Sequence, residues 1–233
     1  MRKIAFTDIH GCIASFEALL DQVKPGKSDQ LFFLGDYIDR GPDSKAVLDK
    51  LMDLREKGYQ LTCLMGNHDQ ELLISLDDLE RREFWLERWG GDKTLESFGV
   101  RYPEDIPAEY LNFIRDLKWV HCADDYILVH AGLNFYNEDP LEPDPDMLTL
   151  RSWYRTTDYE WLGNRKIIHG HTPKPREHIY ELFLVLDDFR ILDIDAGCYA
   201  VHLPGLGHLC AFDMTNKELY FQKNIDEMRW KVV

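Results

Sequence analysis

Five short polar stretches of this chain carry residues that can ligate a cation, move a proton or grip an anion, and each follows an apolar run. In "TDIHG", Asp8 and His10 stand two apart at a strand end, so period-two alternation turns both side chains to one face. A carboxylate and an imidazole so placed can hold one divalent ion. "GDYIDRG" follows "LFFL" and brings Asp36, Asp39 and Arg40 together; the rigid fork of an arginine suits two oxygens of one oxyanion, and a lysine would be a poorer substitute. "GNHD" supplies Asn67 as a neutral oxygen donor and His68 as acid or base, "VHAG" supplies His130, and "HGHT" supplies His169 and His171. Alternation alone does not choose between His169 and His171 as a ligand. One such pair would be weak evidence, because a lone histidine is more often a satisfied core residue; five blocks in order, each after an apolar strand, are strong evidence.

The surrounding pattern predicts the elements that position these blocks. "KIAF" (3–6) reads as a buried strand, and "IASFEALLDQV" (13–23) places Ile13, Phe16, Leu19, Leu20 and Val23 at helical spacing. "LFFL" begins a second unit, with a helix from about Ser44 carrying Val47, Leu48, Leu51 and Leu54 and stopping at Gly58. "QLTCLM" is a third strand running into "GNHD". In open α/β sheets the carboxyl ends of strands are where sites assemble, so these loops are expected to converge. Residues 71–117 read as a helical insertion broken by "GGD" and "YPEDIP", within one domain covering 1–233. "YILVHAG" and "KIIHGHTP" return strands to the site. "YELFLVL", "FRILDID", "HLCAFDM" and "ELYFQK" read as short strands of a β-rich C-terminal half packed on the first.

Composition narrows the function classes. Of 233 residues, 42 are acidic and 27 basic, a net charge of −15 that repels nucleic acid and anionic membrane surfaces, so neither is expected as a partner. The five cysteines are odd in number and form no CxxC pair, which predicts reduced thiols and a cytoplasmic location. The opening "MRKIAFTD" enters a strand at once, so no signal peptide is expected, and no apolar stretch approaches membrane-spanning length.

The blocks in this order resemble the calcineurin-like metallophosphoesterases, and "GDYIDRG" resembles their phosphoprotein phosphatase branch. The nearest likeness is to the compact bacterial serine/threonine phosphatases, which have stretches similar to "FWLERWGGDKTLESFG" and "LDIDAGCYA". The resemblance implies an α/β two-sheet sandwich with α/β/β/α layers. It implies one metal on Asp8, His10 and Asp36, and a second on Asp36, Asn67, His130 and His171, with Asp36 as the bridge. Two ions roughly 3.5–4 Å apart polarise phosphoryl oxygens and let a bound water ionise near neutral pH, making water the nucleophile. Oxygen and nitrogen donors without thiolates suit manganese, iron or zinc, and manganese is what the bacterial likeness implies. A serine alkoxide must then leave, and a positioned acid contributes about 10²–10⁴-fold. His68 is the candidate acid, paired by the resemblance with Asp39, whose charge is expected to orient the ring and favour imidazolium. Arg40 holds phosphate oxygens, Asn67 touches substrate beside it, and a second arginine is expected from "TLRSWYR", Arg151 being preferred over Arg155.

Competing assignments accompany these. His169 is expected to orient a ligand or touch phosphate, and Asp69 stands where the family commonly has glutamate. Cys12 is expected to be a packed thiol, and His121, His178, His202 and His208 structural or exposed. Trp85 and Trp89, four apart on a helix, read as core under the insertion, with an aromatic wall for a nucleobase as the alternative. The acidic loop Glu138 to Asp146 reads as solvated surface. The function expected is hydrolysis of phosphoserine and phosphothreonine monoesters; the alternative is a diadenosine tetraphosphate hydrolase, which shares the catalytic set. A metallonuclease is disfavoured by Arg40 and the charge, and a noncatalytic module by the complete set of ligands and acid.

Overall fold

Period-two alternation sorts the strand side chains into separate apolar layers. The computed structural model describes residues 1–228. Its strands are β1 (Lys3–Phe6), β2 (Gln30–Phe33), β3 (Gln60–Cys63), β4 (Val120–Ala123), β5 (Tyr126–Val129), β6 (Lys166–His169), β7 (Ile191–Asp193), β8 (His208–Asp213) and β9 (Glu218–Lys223). They form a five-stranded sheet in the order β3-β2-β1-β8-β9 and a four-stranded sheet in the order β4-β5-β6-β7. Ala5, Phe32, Leu34, Leu128, Ile168, Leu192 and Phe212 fill the space between the sheets. Their neighbours Ile4, Phe6, Leu31 and Phe33 point the other way, onto the helices α1 (Ile13–Val23) and α2 (Ser44–Glu56). Ile127, Val129, Ile167 and Ile191 pack outward on the second sheet, against Leu133, Met147, Trp153 and Leu162. This is the two-sheet α/β architecture expected.

Within each sheet, β1, β2 and β3 are mutually parallel, as are β5, β6 and β7, so the loops carrying the polar blocks leave strand carboxyl ends. The insertion is helical: α3 (Asn67–Ser75), α4 (Leu79–Phe84), a π-helical turn Trp85–Trp89, α5 (Gly91–Phe98) and α6 (Ala108–Arg115).

Two expectations are corrected. "YELFLVL" is not a strand: Arg176–Leu184 is a helix, followed by a helical turn Leu186–Phe189. Ile179, Leu182, Phe183 and Leu186 recur at i, i+3, i+4 and i+7 and cover the inter-sheet core, a helical period hidden inside an apolar run. Nor do the last strands form a separate half. β8 pairs antiparallel with β1 and β9 with β8, extending the first sheet, while the second is closed by β4, whose hairpin with β5 the pattern did not announce.

Candidate active site

Sharp turns follow the parallel strands. Asp8, His10, Asp36, Asp39, Arg40 and His171 all have φ between 48° and 71°, a region non-glycine residues adopt rarely and which clusters at functional sites. Asp69 fastens two of the loops together: its Oδ2 accepts from the N–H groups of Asp36 (2.8 Å) and Gly66 (2.9 Å), and its Oδ1 from Tyr37 N–H (3.1 Å). A Cβ at Gly66 would overlap the Asp36 backbone nitrogen and carboxylate, so only glycine permits this approach.

Asp36 is the centre. His10 Nε2 lies 3.4 Å from its Oδ2, His130 Nε2 lies 3.5 Å from its Oδ1, and His68 N–H donates to Oδ1 at 3.0 Å. Two donor clusters share it, His10–Asp36–His68 and Asp36–His130–His171, the atoms of each within 4.8 Å of one another. Asp8 belongs to neither; its carboxylate takes the Thr7 hydroxyl and the N–H of His171 (3.1 and 3.3 Å). Asn67 joins through its Oδ1, 3.0 Å from His130 Nε2.

The tautomers are set by backbone carbonyls. His10 Nδ1–H donates to Ile38 O (2.9 Å) and His130 Nδ1–H to Leu34 O (2.8 Å), leaving each Nε2 lone pair turned toward Asp36. His130 Nε2 therefore faces another acceptor, Asn67 Oδ1, and His171 Nε2 is buried without a hydrogen-bond partner. Acceptors that face each other, and a buried imidazole nitrogen with no donor, fit a cation. Burial pushes Asp36 up to about 8 and Asp8 up to about 7, and it holds the rings of His10, His130 and His171 below the usual imidazole range. In the absence of positive charge the pocket thus favours neutral side chains.

Beside this cluster, His68 Nδ1–H donates to Asp39 Oδ2 at 2.7 Å, and its Nε2 accepts from Arg40 Nη2 at 3.1 Å. The expected imidazolium is not favoured: burial first, then the Arg40 guanidinium, holds the His68 ring neutral, and burial pushes Asp39 up to about 7. Arg40 also lies over the Tyr199 ring, 4.2 Å from its centroid. A cavity of about 170 Å³ opens over these groups, lined among others by His10, Asp36, Arg40, Asn67, His68 and His171.

Arg151 reaches the rim of this cavity, donating to His171 O at 3.5 Å, whereas exposed Arg155 is not among its lining residues. His169 does not reach it: Nδ1 is spent on Gly170 O (2.9 Å) and Nε2 on the Tyr154 hydroxyl (2.8 Å). Trp85 is fully buried core, while Trp89 lines the cavity. The acidic loop folds on itself through Asn134–Asp146 and Asn137–Asp144 and contributes no lining residue. Cys12 is buried, as expected. Two lining residues with titratable side chains were not anticipated, Asp195 and Tyr199. Both lie in "LDIDAGCYA", whose strand-then-glycine form repeats that of the other blocks and was the available signal.

Oxygen and nitrogen donors around a shared carboxylate, at the carboxyl ends of strands from two facing sheets, define a metallophosphoesterase fold and site. The family model for calcineurin-like phosphoesterases matches residues 1–199, and the chain belongs to that family. Such enzymes use a dinuclear divalent metal site. Curated relatives include the symmetrical bis(5'-nucleosyl)-tetraphosphatases of Pseudomonas fluorescens, 35% identical over 137 residues (57% of this chain, 44% of that protein), and of Nitrosomonas europaea, 35% identical over 134 residues (57% and 45%). The chain thus spans less than half the length of the curated relatives it matches. Among solved structures, a protein described as a candidate diadenosine tetraphosphatase aligns with a TM-score of 0.66 at 20% identity, covering 94% of this chain and 92% of its own. A Saccharomyces cerevisiae serine/threonine phosphatase similar to human PP5 aligns at 0.63 and 14% identity, covering 97% and 81%. These likenesses show the fold.

Proposed function

We propose that this protein is a metal-dependent hydrolase of dinucleoside polyphosphates, with diadenosine tetraphosphate as the representative substrate. The observation that carries the substrate class is the 35% identity over 137 residues to a relative named for that activity. Asp8, His10 and Asp36 are proposed to hold one divalent cation and Asp36, Asn67, His130 and His171 a second, manganese being the first choice. When bound, such ions polarise phosphoryl oxygens and allow water to ionise near neutral pH. Asp8 is included because it stands two residues before His10 in the same buried turn at the carboxyl end of β1.

The chain's own residues then have distinct tasks. Arg40, held between Tyr199 and His68, presents its fork to the oxygens of the phosphoryl group, and Arg151, which lines the same cavity, supplies a second guanidinium. Once a phosphate engages Arg40, His68 Nε2 is released toward the substrate, and the added negative charge favours a proton there. That proton passes to the leaving oxygen as the P–O bond breaks, and Asp39 keeps the ring aimed through Nδ1. A nucleoside diphosphate is a weaker base than an alkoxide, so this acid matters less for an anhydride than for a phosphoserine ester.

Phosphoserine and phosphothreonine monoesters are the second reading, favoured by the Arg40–His68–Asp39 arrangement, which suits a basic leaving group. Purified protein supplied with manganese should convert diadenosine tetraphosphate to two ADP faster than it releases phosphate from phosphopeptides. The reverse order of rates would install the second reading, and turnover of neither would refute the proposal. The unpaired cysteines fit a reducing compartment, so the cytoplasm is the proposed location. Among the described residues no helix is long and apolar enough to cross a membrane.

A further inference from the structure

One turn of the helical insertion touches both members of the His68–Asp39 pair. Trp85 Nε1–H donates to Asp39 Oδ2 at 2.8 Å, and the Trp89 ring lies against the His68 imidazole, centroids 4.7 Å apart and planes at 41°. Both indoles come from the π-helical turn Trp85–Trp89, and such turns occur frequently at functional sites. The first helix turn beyond it adds Thr94, whose hydroxyl donates to Asp39 Oδ1 at 2.7 Å while accepting the Asp39 N–H at 3.0 Å. Gly91 makes this possible, because a Cβ there would overlap the Trp85 ring. Asp39, Thr94 and Trp85 are all fully buried.

We infer that Trp85, Thr94 and Trp89 are positioning residues for proton transfer, acting through Asp39 and His68 on the leaving oxygen; this rests on the reading of His68 as the proton donor. With Oδ1 closed by Thr94 and Oδ2 shared by Trp85 and His68, the Asp39 carboxylate cannot rotate without breaking a buried hydrogen bond. His68 Nδ1–H then has one acceptor in one direction, and Trp89 closes the side on which the ring could swing. Nε2 is left aimed into the cavity beside Arg40. If Trp85 served packing alone, phenylalanine would replace it without chemical consequence; the indole N–H spent on this carboxylate argues otherwise. The insertion is thereby part of the catalytic apparatus and more than a cover beside it.

The test uses full-length protein carrying Trp85→Phe, Thr94→Val and Thr94→Ser, each also combined with His68→Asn. Turnover with manganese is measured on phenyl phosphate, 4-nitrophenyl phosphate and diadenosine tetraphosphate, and the downfield imidazole N–H signal of His68 is followed by NMR in metal-free protein. A positioned acid contributes about 10²–10⁴-fold, so partial misalignment by Trp85→Phe or Thr94→Val should lower kcat on phenyl phosphate by about ten-fold, with a smaller loss on 4-nitrophenyl phosphate and KM little changed. Thr94→Ser, which keeps the hydroxyl, should restore most of the loss. In the His68→Asn background the same substitutions should cost almost nothing further, and in both substituted proteins the His68 signal should shift. Equal losses in the two backgrounds, equal losses on the two aryl esters, or an unmoved His68 signal would overturn the inference. Full activity of His68→Asn would instead refute the donor reading on which it rests.

Discussion

Among the described residues, Arg40 and Arg151 differ from the other arginines in facing the cavity, and each holds a contact that a bound phosphate would replace: Arg40 with His68 Nε2, Arg151 with His171 O. Arg151→Gln is therefore expected to lower kcat/KM by about ten- to a hundred-fold, the scale of one charge-assisted contact of about 1.5–3 kcal/mol. Arg155→Gln, altering an exposed side chain away from the cavity, should be neutral; steady-state kinetics on both proteins check the assignment. Asp69 makes a structural prediction. Removing its carboxylate leaves the N–H groups of Asp36, Tyr37 and Gly66 without their acceptor, each at a cost of about 1–3 kcal/mol when buried. Asp69→Ala should thus lower the midpoint of denaturant unfolding substantially, and Asp69→Asn, which keeps one oxygen, should do so less. The shorter carboxylate at this position still reaches three backbone donors on two loops.

At the scale of elements, the loop after β3 rests directly on the loop after β2. Gly66→Ala would drive a methyl group into the Asp36 carboxylate, so the protein should fold yet retain less divalent metal after dialysis than the wild type, as metal analysis would show. Helical elements were harder to read than strand ends. The segment Arg176–Leu184 follows Pro175 and mixes charged residues with leucines, so its run "YELFLVL" satisfies both periods in part. Packing decided, since only a helix lays Ile179, Leu182 and Phe183 together on the inter-sheet core. The Trp85–Trp89 spacing likewise suggested one helix face, but the π-helical turn divides the two rings between Asp39 and His68.

For the whole molecule, the consequence is a coupling among cation, proton and stability. In the metal-free protein burial raises Asp8 to about 7 and Asp36 to about 8 from an ordinary carboxylate value of 3.8, so their contribution to stability is complete below that ordinary value and is lost progressively as pH rises to 7–8. The histidines are depressed below 6.5, so their contribution is complete above that pH and is lost as pH falls. Between about pH 6.5 and 8 only the carboxylates still act, and metal-stripped protein should melt at progressively lower temperature across that window. Manganese should flatten the trend. Its affinity should weaken below pH 7, by about ten-fold per pH unit for each proton displaced, which calorimetry in buffers of different ionisation enthalpy would count.

The sequence by itself determined the polar loops and their order after apolar strands, because strand periodicity and the chemistry of Asp, His and Asn are local properties that a short window displays; the two-sheet class came through the family resemblance those loops carry. Tertiary structure alone decided which sheet β8 and β9 join, that Arg151 and not Arg155 meets the cavity, that His169 turns away to Tyr154, and that Asp195 and Tyr199 complete the lining. It also reversed the expected charge of His68, since burial and a guanidinium outweigh the neighbouring carboxylate. Each of these depends on which distant groups share a low-dielectric space, and that follows from packing between segments far apart in the chain.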